Sequence, residues 1–286
     1  MALFVGTYAH AGGAGLYPLH QGDSGWILGE PYGAAANASF GVWSERFGLR
    51  YLVDEREDGM LRVLRQEGPE WKPLARVPTR GALPCYAGLS TDEAWLAIAN
   101  YGSGSLALFR LDPETGLPGN AELHSSKGHG PDRERQTGPH AHCAIFSPDG
   151  TWLYQTDLGA DRVLAFPFEA ARGVGTPQTA FAAPAGSGPR HLVFQPHRPL
   201  AFLISELASS LTVLDVGDGT LEPRQSVSTL PGGCQSESLG GHLGINAAGD
   251  RVYVTNRGHD SVATYAFDEA SGLALLGHVP SGGASP

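Results

Sequence analysis

The sequence places imidazole, guanidinium and carboxylate groups in several short motifs within otherwise apolar surroundings. These groups are His140 and His142 of PHAH, Arg190 and His191 of GPRH, Glu206 of SEL, His242 of GHLG, and Arg257 and His259 of NRGH. Imidazole and carboxylate groups can exchange protons, and arginine can hold a carboxylate, a phosphate or a developing oxyanion through two hydrogen bonds. The set therefore predicts acid–base chemistry on a small anionic substrate.

The elements that must position these groups repeat about every 50 residues. Each repeat has an apolar run, a turn, a second run that ends on a polar residue, a Gly/Ser-rich turn and a third run, and a weaker fourth run follows. The repeats are Ala38–Leu64, Pro84–Leu111, Pro139–Phe168, Pro189–Val216 and Gly241–Phe267. Because the runs are short and rich in Val, Ile, Leu, Phe and Tyr, the pattern predicts an all-β chain built from β-propeller blades.

The number of blades follows from the spacing. Leu3–Pro18 resembles the second and third strands of one more blade, whose first strand is absent. After the repeat that starts at Gly241, the next is due at about residue 290, beyond Pro286. We expect one propeller domain over residues 1–286 with six of seven blades, the N-terminal one incomplete, and without the last blade and closing strand. A closed six-bladed ring is the alternative.

The register of the repeat gathers the polar residues. In an antiparallel blade with its first strand along the channel, the start of strand one and the end of strand two lie on the same face. We therefore expect these side chains at one mouth of the channel. Strand-one starts carry His140, His142, Arg190, His191 and His242, and strand-two ends carry Tyr8, Glu55, Asn100, Asp157, Glu206 and Asn256, with Arg257 and His259 just beyond.

Several of these residues have a structural alternative. A charged group such as Arg190 or Glu206 at a channel mouth has no packing reason to be there, so function is favoured. Asn100 and Asp157 can instead cap their own turns. His191 follows Arg190 directly and should point to the opposite face of the strand, in structural support. For His259 an ordinary loop histidine is equally compatible with the sequence.

Metal and cofactor signatures are sparse. His140-x-His142 is a spacing that zinc or iron sites can use, but no further ligand motif accompanies it. The cysteines Cys85, Cys143 and Cys234 lack C-x-x-C spacing, and the glycine clusters lack the helix that follows a phosphate-binding loop. We expect neither a metal nor a cofactor.

Charge and hydropathy limit the kinds of partner that the protein can bind. With 29 acidic against 19 basic residues the net charge is −10, which disfavours nucleic acid. No apolar stretch approaches the ~18 residues that span a membrane. The start MALFVGTYAH lacks the basic and apolar segments of a signal peptide, and the odd cysteine count fits a reducing compartment, so we expect a cytoplasmic protein. The oligomeric state is left open.

Ordered motifs along the chain resemble those of the seven-bladed propeller lactonase family, whose best-known activity is 6-phosphogluconolactonase and whose fungal relatives include carboxymuconate cyclases. The motifs are GTYA, ANYGSGS, GPHAH, SPDG, DLGADR, GSGPRH, SEL and NRGHDS, and the resemblance runs from Phe4 to about Pro286. It implies that His142, Arg190, Glu206 and Arg257 perform lactone chemistry. The sequence departs from the family at INAAGD, where SPDG is usual, and at its C-terminus, where members continue for a further blade.

These observations predict metal-independent hydrolysis of a small anionic sugar-acid lactone. Water activated by His142 or Glu206 would attack the ester carbonyl, while Arg190 and Arg257 hold the anion and offset the oxyanion. The remaining members of the set are expected to bind substrate: His140, His191, His242, Asp157, Asn100 and His259.

Phosphogluconolactone, an aldaric or uronic acid lactone and a muconolactone are all compatible substrates. A carboxymuconate-type lactonizing cyclase is the nearest rival chemistry. A non-catalytic propeller that binds protein partners is a rival from another class, and it would show exposed aromatics on its loops. A calcium-dependent lactonase would instead need several carboxylates around one ion.

Overall fold

The computed structural model describes residues 3–23, 25–68 and 70–286. Within these residues the chain is almost entirely strand and turn, and its helices are short 3-10 segments at Ala9–Ala11, Gly33–Ala35 and Leu158–Ala160. Backbone contacts divide the chain into two compact units, Met1–Ser125 and Ser126–Pro286.

The first unit contains three antiparallel sheets in which strands adjacent in sequence are adjacent in space. They consist of β1 (Leu3–Gly6), β2 (Leu16–Gly22) and β3 (Gly25–Leu28); β4 (Gly41–Ser44), β5 (Leu49–Asp54), β6 (Met60–Glu67) and β7 (Glu70–Pro78); and β8 (Pro84–Leu89), β9 (Trp95–Asn100), β10 (Ser105–Arg110) and β11 (Glu122–Ser125). The N-terminal sheet has three strands where the other two have four, which agrees with the predicted incomplete blade.

The second unit also contains three antiparallel sheets. They consist of β12 (Ala141–Phe146), β13 (Trp152–Asp157), β14 (Arg162–Glu169), β15 (Gly173–Val174) and β16 (Gln178–Ala182); β17 (Pro189–Phe194), β18 (Leu200–Ser205), β19 (Ser210–Val216) and β20 (Leu221–Ser228); and β21 (Leu239–Ile245), β22 (Arg251–Arg257), β23 (Ser261–Asp268) and β24 (Gly272–Pro280). Both β15 and β16 pair with β14. The all-β blade architecture predicted from the repeats is confirmed.

The core of each unit lies between neighbouring sheets. Every residue of β9 and β18 is buried, which explains why these second strands are continuous apolar runs. In the second unit β18 and β19 pack against β21, β22 and β23, where Phe202 meets Phe267 edge to face at 4.9 Å. In the first unit Tyr51 and Phe109 belong to the equivalent cluster.

Turns between the first and second strands use side chains to fix the backbone. In Ser147–Gly150 the Gly150 N–H donates to the Ser147 carbonyl at 2.9 Å, and Gly150 takes a φ of 69° that favours glycine. Asn246 takes the place of the serine in the last repeat. Its Oδ1 accepts the Arg251 N–H at 3.0 Å, as Ser147 Oγ accepts the Trp152 N–H at 3.0 Å, and the Gly249 N–H donates to its carbonyl at 2.9 Å. INAAGD therefore forms the same kind of turn as SPDG.

The first strands of the second unit lie side by side, with β17 between β12 and β21. Each begins with a break in its pairing with the second strand: between Ala141 and Cys143, between Pro189 and His191, and between Gly240 and Leu243. Such a β-bulge leaves an extra residue out of the ladder and interrupts the alternation of side chains. The extra residues are His142 in β12 and Arg190 in β17, and in β21 they include His242.

Candidate active site

Glu206 lies at the centre of a charged cluster in the second unit. It follows β18 directly, and its backbone is hydrogen-bonded to the starts of two neighbouring first strands. Its N–H donates to the Gly188 carbonyl at 2.7 Å, and its carbonyl accepts the Gly240 N–H at 2.8 Å. The residue is 1% exposed. A buried carboxylate must be compensated by hydrogen bonds and opposite charge, and three arginines supply both.

The three guanidinium groups divide between the two carboxylate oxygens. Arg190 Nε donates to Glu206 Oε2 at 2.9 Å, and Arg257 Nη2 forms an ion pair with the same oxygen at 2.7 Å. Arg135 Nη2 donates to Oε1 at 2.5 Å. Arg190 and Arg257 also donate to the carbonyls of Gly241 and Gly240, at 2.8 and 3.1 Å, which fixes both groups against β21.

Three histidines from the neighbouring first strands form a column beside this cluster. The His142 and His191 rings meet edge to face at 5.3 Å, and those of His191 and His242 at 5.2 Å. His142 Nε2 lies 3.7 Å from Glu206 Oε2. His142 and His191 are buried, whereas His242 is exposed, so the column runs from the charged cluster toward solvent.

The electrostatic state of the cluster follows from burial and from the arginines. Burial alone would raise the pKa of Glu206, but the positive charges around it lower this pKa to about 2. His142 contributes to that lowering only when it is protonated, so near neutral pH Arg257, Arg190 and Arg135 keep the carboxylate ionised. Burial, followed by the charge of Arg190, lowers the pKa of His142 to about 3 despite the opposing effect of Glu206. His142 is therefore a neutral imidazole at physiological pH.

The other two histidines are shifted in the same direction. Burial and then the charge of Arg190 hold the pKa of His191 well below its usual range, and partial desolvation of the ring followed by the charge of Arg190 lowers the pKa of His242. The column is thus neutral at physiological pH, and positive charge in the site is concentrated on the arginines.

The prediction that His191 points away from Arg190 is wrong. Arg190 Nη1 lies 3.0 Å from His191 Nε2, and His191 Nδ1 lies 3.2 Å from His242 Nδ1. The physical reason is the bulge between Pro189 and His191, which places two consecutive side chains on the same side of β17.

Asn100 and Asp157 have the geometry of structural residues. Each pairs with the first residue of the third strand of its own sheet and is fully buried. The Asn100 amide donates to the Thr79 carbonyl at 3.4 Å and to Ser105 Oγ at 3.2 Å. Asp157 accepts the His140 N–H at 2.9 Å and the Arg162 Nη2–H at 3.1 Å. This geometry favours the capping alternative over substrate binding for both.

His140 and His259 are less closely tied to the cluster. His140 is half-buried immediately before β12, and its backbone bonds to Asp157 and Leu158. His259 Nδ1 lies 2.8 Å from Ser261 Oγ, and its ring meets that of His278 edge to face at 5.9 Å. Their roles in substrate binding stay predictions.

Arg135 is the residue that reasoning from the repeats missed. It lies in residues 126–140, which connect β11 to β12 and belong to none of the repeating strands. The length of this connection and its charged segment Asp132–Arg135 were the available signals, because a long loop in a compact protein is often functional.

In the described part of the chain, no group of three or more His, Cys, Asp or Glu side chains is arranged to hold a metal ion. Among the same residues, no helix is long and apolar enough to cross a membrane. Cys85 and Cys143 are buried thiols in the first strands of their sheets.

Blades of antiparallel strands place the chain in the β-propeller class, and the buried His, Arg and Glu cluster gives it a site suited to acid–base chemistry on an anion. The model of the family described as "Lactonase, 7-bladed beta-propeller" matches residues 2–286, and the chain belongs to this family.

Individual relatives cover nearly all of this chain. The 6-phosphogluconolactonase of Bacillus subtilis is 29% identical over 99% of this chain and 82% of its own length. A periplasmic gluconolactonase of Pseudomonas aeruginosa superposes with a TM-score of 0.90 at 28% identity, covering 100% of this chain and 84% of that one. A putative 6-phosphogluconolactonase of Bacteroides fragilis has a TM-score of 0.89 at 29% identity, over 100% and 83%.

Proposed function

We propose that this lactonase hydrolyses the lactone of a small anionic sugar acid, as in a 6-phosphogluconolactonase, without a metal ion. The observation that carries the proposal is the cluster itself: a neutral buried imidazole beside three arginines that are held by one carboxylate. The family supports lactone hydrolysis in general, and the named relatives support a sugar-acid substrate.

His142 is the better candidate for the general base. Glu206 already accepts hydrogen bonds from Arg135 and Arg190 and forms an ion pair with Arg257, so both of its oxygens are occupied by guanidinium groups. His142 is neutral near pH 7, so its unprotonated ring nitrogen can take a proton from water as the water oxygen attacks the ester carbonyl. The imidazolium then returns the proton to the ring oxygen as the carbon–oxygen bond breaks.

An anionic substrate improves this base. The charges of Arg190 and Arg257 are among the causes that lower the pKa of His142. A bound phosphate or carboxylate adds negative charge close to the arginine cluster, so the pKa of His142 should rise when the substrate binds. The same guanidinium groups can then offset the charge that develops on the carbonyl oxygen.

A carboxymuconate-type lactonizing cyclase is the alternative chemistry. The lactonase family and the named gluconolactonase relatives support hydrolysis instead. The cytoplasmic location also stays a prediction, which cell fractionation with an antibody to the protein would test.

The test is a pH-stat assay at pH 7 with blank subtraction, on 6-phosphogluconolactone, glucono-1,5-lactone, glucuronolactone and muconolactone. We expect turnover of an anionic lactone that EDTA leaves unchanged. His142→Asn should lower kcat by about 100- to 10,000-fold, whereas the matched change His197→Asn, at an exposed histidine of the same unit, should not. Wild-type activity that survives His142→Asn, or that EDTA abolishes, would contradict the proposed mechanism.

A further inference from the structure

We propose that Arg135 determines the specificity of this site by binding a phosphate group on the substrate. The inference rests on the proposed function and narrows it from anionic lactones in general to phosphorylated ones. Its evidence is the construction of the loop that carries Arg135, the side of Glu206 that Arg135 occupies, and the charge of the cluster.

The backbone around Arg135 is fixed by a local turn. Asp132 Oδ1 accepts the backbone N–H groups of Glu134 and Arg135, both at 2.9 Å. The Gln136 N–H closes the turn by donating to the Asp132 carbonyl at 3.0 Å. Such an aspartate-capped turn holds its residues in one conformation, so the direction in which Arg135 leaves the backbone is set.

A buried glutamine anchors this turn to the strands of the site. Gln136 is fully buried, and its amide donates to the Leu158 carbonyl and to Asp161 Oδ1, both at 2.8 Å. Asp161 in turn accepts the N–H groups of Gly186 and Gly188, at 2.7 and 2.9 Å, in the segment that leads into β17. The loop is therefore joined to the strand that carries Arg190, and Arg135 is presented by rigid structure.

Arg135 occupies a different side of Glu206 from the catalytic candidates. Arg190, Arg257 and His142 all lie nearest to Oε2, whereas Arg135 bonds to Oε1. The Arg135 side chain is also the most exposed of the three arginines, at 34% against 15% and 26%. If the ester carbonyl reacts beside His142, Arg135 is placed to meet a substituent at some distance from the reacting bond.

The charge balance indicates what that substituent is. Counted over the three arginines and Glu206, three positive charges stand against one negative charge, with His142 neutral. A phosphate monoester carries about −1.5 to −2 at pH 7 and presents three acceptor oxygens that suit a guanidinium fork. A phosphorylated lactone matches this excess, whereas a neutral sugar lactone leaves it uncompensated.

The experiment compares kcat/KM for 6-phosphogluconolactone and for glucono-1,5-lactone in the wild type, Arg135→Gln and the matched control Arg133→Gln, which changes an exposed arginine of the same loop. We expect Arg135→Gln to lose about 10- to 100-fold on the phosphorylated lactone, the equivalent of one charged hydrogen bond. The loss on gluconolactone should be smaller by at least about 5-fold, since that substrate lacks the partner group and loses only the support that Arg135 gives to Glu206. Equal losses on both would mean that Arg135 only neutralises Glu206, and would overturn the inference.

A binding measurement separates this inference from the proposed hydrolysis. By calorimetry, the wild type should bind 6-phosphogluconate more tightly than gluconate, and Arg135→Gln should remove that preference even if neither lactone is hydrolysed. A wild type without the preference, or a variant that keeps it, would overturn the inference. Should Arg135→Gln fail to fold, Arg135→Lys keeps the positive charge but loses the paired N–H donors of the guanidinium group. The preference for 6-phosphogluconate over gluconate should then fall by about 3- to 10-fold.

Discussion

The side chains of Arg190 and His191 meet although the two residues are consecutive in a strand: Arg190 Nη1 lies 3.0 Å from His191 Nε2. The bulge at the start of β17 makes this contact possible. The contact orients Arg190, because the His191 ring accepts a hydrogen bond from its guanidinium group. The same ring packs against His142 and His242. His191 is therefore a positioning residue for an arginine of the proposed anion site.

Replacing His191 by phenylalanine should disorder Arg190 without emptying the space that the ring fills. We expect KM for the anionic lactone to rise about 10-fold, the equivalent of one lost hydrogen bond to a charged group, while kcat changes less. His191→Gln keeps an acceptor and should restore much of the affinity. Equal kinetics in the wild type and His191→Phe would show that the contact does not orient Arg190.

Replacing Glu206 by glutamine should destabilise the second unit. The carboxylate is buried, and its loss leaves three guanidinium groups close together without their common partner. Because those groups are partly exposed, we expect a loss of about 2–4 kcal/mol in the free energy of unfolding, measured in urea. Asp215→Asn removes a 2.7 Å pair with Arg224 that is exposed on both sides, and it should change stability by less than about 1 kcal/mol. Similar losses in the free energy of unfolding for the two variants would contradict the role of Glu206 as a buried partner of the arginines.

Stability should fall as the pH is lowered from neutrality, and His142 should account for part of the slope. Its pKa is about 3 in the folded chain against an ordinary value of 6.5, so between these values the unfolded state binds one more proton. One proton corresponds to about 1.4 kcal/mol per pH unit in the direction of lower stability at lower pH. Glu206, with a pKa lowered from 4.5 to about 2, adds a loss of the same sign only below about pH 4.5.

Urea titrations at several pH values between 7 and 4.5 would isolate the histidine contribution, because Glu206 is ionised in both states over most of that window. His142→Gln should show a shallower fall in the free energy of unfolding than the wild type. His129→Gln, at an exposed loop histidine, should follow the wild type. A variant His142→Gln that keeps the full slope would mean that His142 is not the residue linked to this protonation.

Replacing Asn100 by alanine should test its structural role against substrate binding. The buried amide loses its bonds to the Thr79 carbonyl and Ser105 Oγ, so we expect the free energy of unfolding to fall by about 1–3 kcal/mol. KM and kcat at a temperature where the variant is folded should equal those of the wild type. A raised KM with unchanged stability would instead return Asn100 to the substrate site.

The sequence alone was sufficient to predict the blades and the types of residue that form the site. Alternating apolar runs and turn residues act locally, so strands such as β9 and β18 could be predicted without knowledge of their neighbours. The repeat period then brought His142, Arg190, Glu206 and Arg257 into one group, because equivalent positions of a repeat lie at equivalent places in the fold.

Tertiary structure decided which polar residues at the strand ends point into the cluster. Asn100 and Asp157 end their second strands, whereas Glu206 lies one residue beyond the end of β18 at Ser205. Since side chains alternate along a strand, that single residue separates a buried cap from the centre of the site.

The bulges and Arg135 were also decided only by the folded chain. A bulge arises from the pairing of two strands and leaves no recognisable pattern in the sequence of either strand. The contact between the side chains of Arg190 and His191 therefore could not be predicted from the sequence. Arg135 lies in a loop without periodicity, and its contact with Glu206 spans 71 residues of sequence. Loop residues of this kind are brought to a site by hydrogen bonds such as those of Gln136, which depend on distant segments that only the fold brings together.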